Sequence, residues 1–103
     1  MADRIAQLNS ILKADPKDTF CLYGLAMEYA KAGQSAQAIE FFDRTIALDP
    51  DYHYAYFHKA KTLEEMGEVE AARTTLRAGL QQAQTSGEVK AANEIAGLLD
   101  ELT

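Results

Sequence analysis

A period of 34 residues runs through this 103-residue chain and constrains its fold more than any other feature. Shifting the sequence by 34 lays Ile5 on Ile39, Leu8 on Phe42, Leu12 on Ile46 and Asp15-Pro16 on Asp49-Pro50. It also lays Ala26 on Ala60, Gly33 on Gly67 and Ala38 on Ala72, with Phe20 on Tyr54 and Tyr23 on Phe57. Between residues 19–52 and 53–86 only those two alanines and the glycine are identical. Each has a physical reason. Alanine lets two helix backbones approach where a larger side chain would overpack the crossing. Glycine supplies the positive φ of a turn without a Cβ penalty. A fixed period of this size marks an array of small units that bury their apolar faces against one another.

The units read as helical hairpins. From Asp3 to Lys13 the apolar residues Ile5, Leu8, Ile11 and Leu12 share one face, and Asp15-Pro16 ends that helix because the residue before proline is pushed out of the α region. Asp18 is placed to cap the next helix, which runs to about Ala32 and stops at Gly33. It carries two stripes, Leu22, Leu25, Ala26 and Tyr29 on one side and Phe20, Tyr23 and Met27 on the other, so it needs neighbours on both. Ser35 is expected to cap the returning helix, whose core face is Ala38, Ile39, Phe42 and Ile46 and whose end is Asp49-Pro50. The pattern then repeats. Tyr52 to Met66 and Glu68 to about Ala83 form a second hairpin turning at Gly67, with Ala72, Leu76 and Leu80 inward. Thr85-Ser86-Gly87 is expected as a turn before a last helix, Glu88 to Leu102, burying Val89, Ala92, Ile95, Leu99 and Leu102. The expected architecture is all-α, about six helices in antiparallel hairpins.

With these residues in place the chain resembles the tetratricopeptide repeat family. The first unit carries the family's pattern at Leu22, Leu25, Ala26, Tyr29, Gly33, Ala38, Phe42 and Pro50, departing at Thr45 where alanine is usual. The second keeps Tyr56, Ala60, Leu63, Gly67, Ala72 and Leu76, departing at Lys59, Gly79 and Gln84, where leucine, alanine and proline are usual. The resemblance implies one domain over residues 1–103: a partial repeat helix at 3–16, whole repeats at 19–52 and 53–86, and a capping helix at 88–102. It also implies a right-handed superhelix whose concave groove binds peptides or protein segments. Carried over residue by residue, the groove is Phe20, Tyr23, Gly24, Met27, Ala30 and Lys31, then Tyr54, Phe57, His58, Lys61, Glu64 and Glu65. From helical geometry alone Phe20, Tyr23 and Met27 share a face, as do Tyr54, Phe57, His58 and Lys61. The expected partner is a protein or peptide with an apolar or aromatic anchor, since such side chains give contact area at low entropic cost. The alternatives stay open: ordinary packing between helices, or a groove covered by the C-terminal helix. A subset of the family clamps a C-terminal carboxylate with lysine and asparagine, but this chain has Tyr23, Met27 and His58 at those places.

Composition narrows the partner class. Sixteen acidic residues against ten basic give a formal net charge of −6, which disfavours nucleic-acid phosphates and anionic membranes as main partners. No apolar run approaches the ~18 residues of a membrane span. The start, Met1-Ala-Asp-Arg, lacks a signal-peptide pattern, so the expected location is cytoplasmic. The single cysteine, Cys21, excludes an internal disulfide, and it is expected to pack beside the next hairpin. His53 and His58 lie five apart, not at the spacing of a helical metal pair, and no glycine-rich loop or nucleophile motif is present. The expectation is a non-catalytic interaction scaffold without cofactor or metal. The alternative is a homo-oligomeric assembly domain using the open faces of helices 3–13 and 88–102, or a weak homo-oligomer.

Overall fold

The computed structural model describes residues 2–103; Met1, the first residue of the start examined for a targeting signal, lies outside them. Six α-helices follow in order: α1 (Ala2–Ala14), α2 (Thr19–Lys31), α3 (Ser35–Leu48), α4 (His53–Glu65), α5 (Val69–Ser86) and α6 (Val89–Glu101). Among the described residues there is no strand, so the fold is all-α, and each helix packs against the next. Contacts also join α2 to α4 and α4 to α6, which sets those three side by side.

Local chemistry sets the helix ends. Asp18 is the N-cap of α2, its Oδ1 accepting from the Cys21 amide at 3.0 Å. Gly33, at φ +77°, closes α2: its amide donates to Ala30 O and the Gln34 amide to Tyr29 O, at 3.1 and 2.9 Å. This double bond pattern satisfies carbonyls that a helix end would otherwise leave orphaned. Gly67 ends α4 in the same way, and Gly87 ends α5. Ser35 does not cap α3. Gln34 holds that position without a side-chain bond, because the chain passes from the Gly33 turn straight into the helix and leaves Ser35 inside it.

Small residues sit where the helices cross: Ala26, Ala38, Ala60 and Ala72 are all fully buried. Thr45, the departure from the repeat pattern, is also fully buried and satisfies its hydroxyl by donating to Phe41 O at 2.8 Å. Gly79 has a different cause. A Cβ there would stand 2.6 Å from the Tyr56 Cβ, so the buried tyrosine leaves room only for glycine. The Tyr56 hydroxyl reaches back to Pro50 O at 2.8 Å.

Four other expectations change. Ile11 is exposed, because among the described residues α1 packs only against α2. Cys21 packs against the preceding helix, its thiol donating to Leu8 O at 3.0 Å, because its face of α2 is the one α1 covers. Thr85 and Ser86 belong to α5, since Gln84 stands where a proline would have ended the helix and the chain stays helical to Gly87. At α6 Ile95 and Leu102 are buried as expected, but Ala91 and Leu98 are buried with them, whereas Ala92 and Leu99 are only partly buried and Val89 is 69% exposed. The buried stripe is turned because α6 wedges against both α4 and α5, the only helices that touch it among the described residues.

Candidate partner-binding groove

Helices α2 and α4, aligned with α6, carry the side chains that the family resemblance assigned to the groove. Phe20 is 70% exposed at the start of α2. Tyr23 is half-buried in a ring cluster, with centroids 4.8 Å from Tyr52, 6.1 Å from His58 and 6.2 Å from Phe42. Burial, followed by the nearby Tyr52 and Tyr54 hydroxyls, pushes its phenol up to about 12. Gly24 does not open the groove. A Cβ on it would rest against the Leu8 methyls at 3.5 and 3.6 Å, so its bare backbone faces α1.

Next to this cluster the half-buried Met27 joins Ala30 and Lys31 of α2, facing His58, Lys61 and Thr62 of α4, around a hollow of about 210 Å³. Burial, then the Lys61 ammonium, holds the His58 imidazole below its ordinary value, so the ring is biased to its neutral form. His58 meets Phe57 edge-on at 5.2 Å, and Lys61 Nζ lies 5.6 Å from the Phe57 ring centre. The structure thus brings Tyr23, Met27, Phe57, His58 and Lys61 together, while Phe20 stands out into solvent.

Tyr54 is tied to the last helix. Its hydroxyl donates to Glu94 Oε1 at 2.9 Å, and that bond, ahead of burial, raises its phenol above the ordinary value. A second hollow, of about 390 Å³, opens between α4 and α6. Phe57, Lys61 and Glu64 form one wall, and Glu94, Gly97, Leu98 and Glu101 form the other. Reasoning from the repeat missed these α6 residues. The helix caps show why: Asp18 and Tyr52 are 34 residues apart, but Tyr52 and Glu88 are 36 apart. The absence of proline at Gln84 is the signal that could have found the extra two residues, since it lets α5 run on. An offset of 36 sets His58 on Glu94, Lys61 on Gly97 and Glu65 on Glu101.

Stacked helical hairpins with a side-chain-lined row of first helices define an all-α helical-repeat protein. A model of the family described as tetratricopeptide repeat matches residues 29–93, more than half of the chain. The chain belongs to the tetratricopeptide repeat family. It is 39% identical over 72 residues to Superkiller protein 3 of Schizosaccharomyces pombe, covering 70% of this chain and 5% of that protein. It therefore spans only a small part of that relative's length. Among solved structures, a tetratricopeptide repeat domain protein from Salinibacter ruber matches with TM-score 0.79 and 30% identity over 85% of this chain and 89% of that one. The type III secretion chaperone SycD of Yersinia enterocolitica, in complex with a peptide of the translocator YopD, matches with TM-score 0.88. There the identity is 20%, over 98% of this chain and 78% of that one.

Proposed function

We propose that this chain is a non-catalytic scaffold whose α2–α4–α6 face binds a segment of another protein. In this reading residues 19–52 and 53–86 are whole repeats, α1 is the second half of a preceding one, and α6 continues the row of first helices. The observation that carries it is the hollow between α2 and α4. Its Met27 and Ala30 side takes an apolar or aromatic side chain, with His58 and Lys61 opposite and the Phe57 ring behind His58, on the wall of the second hollow. The peptide complex of the Yersinia chaperone supports the same mode of use. A site spanning three helices is small, and a groove of that size gives affinities of roughly micromolar order. The net charge of −6 speaks against nucleic acid or an anionic membrane as partner, and no helix of the described residues is long and apolar enough to cross a membrane.

The test is partner capture followed by mass spectrometry, comparing the wild-type chain with Phe57→Ala, Tyr54→Ala and Met27→Arg. Captured proteins should be lost from Phe57→Ala and Met27→Arg while circular dichroism stays helical. Tyr54→Phe separates the roles of Tyr54, since it removes the Glu94 bond and keeps the ring. Retention of the same proteins by all the folded variants would remove the groove assignment.

A second reading, self-association through the terminal helices, draws on the exposure of Ile11 on α1 (47%) and Val89 on α6 (69%). Light scattering over a concentration series decides it. A constant monomer mass excludes self-association.

A further inference from the structure

The two hollows are the same place one repeat apart, but they carry opposite charge. Adding 34 to Met27 and Ala30 gives Lys61 and Glu64, and adding 36 to His58, Lys61, Thr62 and Glu65 gives Glu94, Gly97, Leu98 and Glu101. These are the residues that line the second hollow, together with Phe57. The first hollow sets Lys31 and Lys61 against Glu65. In the second, Glu64, Glu94 and Glu101 stand against Lys61 alone. Two further features make the second hollow fit a cation. Gly97 leaves its floor open, since a Cβ there would meet nothing within 4 Å. The Phe57 ring already carries one cation, with Lys61 Nζ 5.6 Å from its centre, and aromatic faces attract ammonium and guanidinium groups through their quadrupole.

We infer that the segment bound in this groove carries an arginine or lysine about three residues from its apolar anchor, seated in the hollow between α4 and α6. This rests on the groove reading above and adds the partner's chemistry to it. The spacing follows from the array: packed helices stand roughly 8–10 Å apart, and an extended peptide advances about 3.3 Å per residue. Arginine suits the site better than lysine, because its planar fork stacks on a ring while pairing with carboxylates.

The experiment titrates synthetic peptides into the ¹⁵N-labelled chain and follows amide shifts. The probes are acetyl-Ser-Gly-Phe-Ser-Gly-Arg-Ser-Gly-amide, the same peptide with the Phe and Arg exchanged, and versions with Glu or Ser in place of Arg. The better Arg peptide should shift Gly97 and Glu94 as well as Met27 and His58, and should bind roughly three- to tenfold tighter than its Glu version, as one or two exposed ion pairs would give. That preference should vanish at about 0.5 M salt. Gly97→Lys, whose side chain fills the open floor with a cation, should abolish the preference while the Met27 and His58 shifts remain. Glu64→Gln with Glu101→Gln should reduce it likewise. If Arg and Glu peptides shift Met27 and His58 equally and leave Gly97 still, the charge inference is overturned and the groove reading stands. If no peptide moves either set of amides, both are overturned.

Discussion

Tyr56 and Gly79 occupy the places that Leu22 and Thr45 hold one repeat earlier, so a larger residue on one helix is matched by a smaller one on its partner. Gly79→Thr should therefore cost about 1–3 kcal/mol by overpacking. Adding Tyr56→Leu should recover most of that loss, a non-additivity that urea denaturation of the single and double variants would measure. Ala38→Leu, at a fully buried crossing, should cost a similar amount with no such rescue. Two titrating residues add a pH dependence. The folded His58 imidazole lies below the ordinary 6.5, so as pH falls through that value the unfolded chain takes up the proton first. Stability contributed by His58 is thus full above the ordinary value and declines in acid, and His58→Gln should flatten the acid limb of a stability–pH curve. Tyr23 acts at the other extreme. Its phenol is raised from 10.0 to about 12, so between those values the unfolded chain loses its proton first and stability falls with rising pH. Chemical denaturation at stepped alkaline pH should show that decline weakened in Tyr23→Phe.

At the scale of the element, α5 decides where the last helix stands. It runs through Gln84, where α3 has already met Asp49 and Pro50, and its left-handed end at Gly87 places α6 two residues later than the repeat requires. Gln84→Pro should cost about 3 kcal/mol, the penalty of proline inside a helix, and should loosen α6. Circular dichroism melts with proton shifts of Ile95 and Leu98 would follow both effects. The hairpin ends were legible in the sequence because each depends on one residue: Asp18 for a cap, Gly33 and Gly67 for a left-handed turn, Pro16 and Pro50 for a stop. The crossing alanines were legible for the same reason. The orientation of α6 was legible only in part: Ile95 and Leu102 belong to either stripe, and only the docking against α4 and α5 decides that Ala91 and Leu98, rather than Val89, Ala92 and Leu99, are buried with them. Phe41 was missed similarly. It neighbours Phe42 in sequence, and its burial depends on stacking 5.5 Å from the Tyr29 ring across the hairpin. Of the candidate groove, the resemblance to the repeat family supplied the α2 and α4 residues, of which Phe20 and Gly24 lie outside the two hollows, while Glu94, Gly97 and Glu101 were hidden by the two-residue offset.

At the scale of the molecule the array measures 38 × 29 × 18 Å and its core falls into two clusters, one from Leu8 to Ala55 and one from Ala60 to Leu102. Cohesion passes only between neighbours, so the ends are held on fewer sides than the middle. Among the described residues α1 touches α2 and nothing else, whereas α4 touches α2, α3, α5 and α6. Hydrogen exchange should accordingly be fastest in α1 and slowest in α2 to α5, and equal protection across all six helices would contradict this ordering. Cys21 sits at that weakest seam, 1% exposed, with its thiol hydrogen held by the Leu8 carbonyl. As the chain's lone sulfhydryl it works as a built-in gauge: an alkylating reagent can reach the sulfur only in molecules whose first helix has swung away, so the labelling rate reports how often that end of the stack comes open.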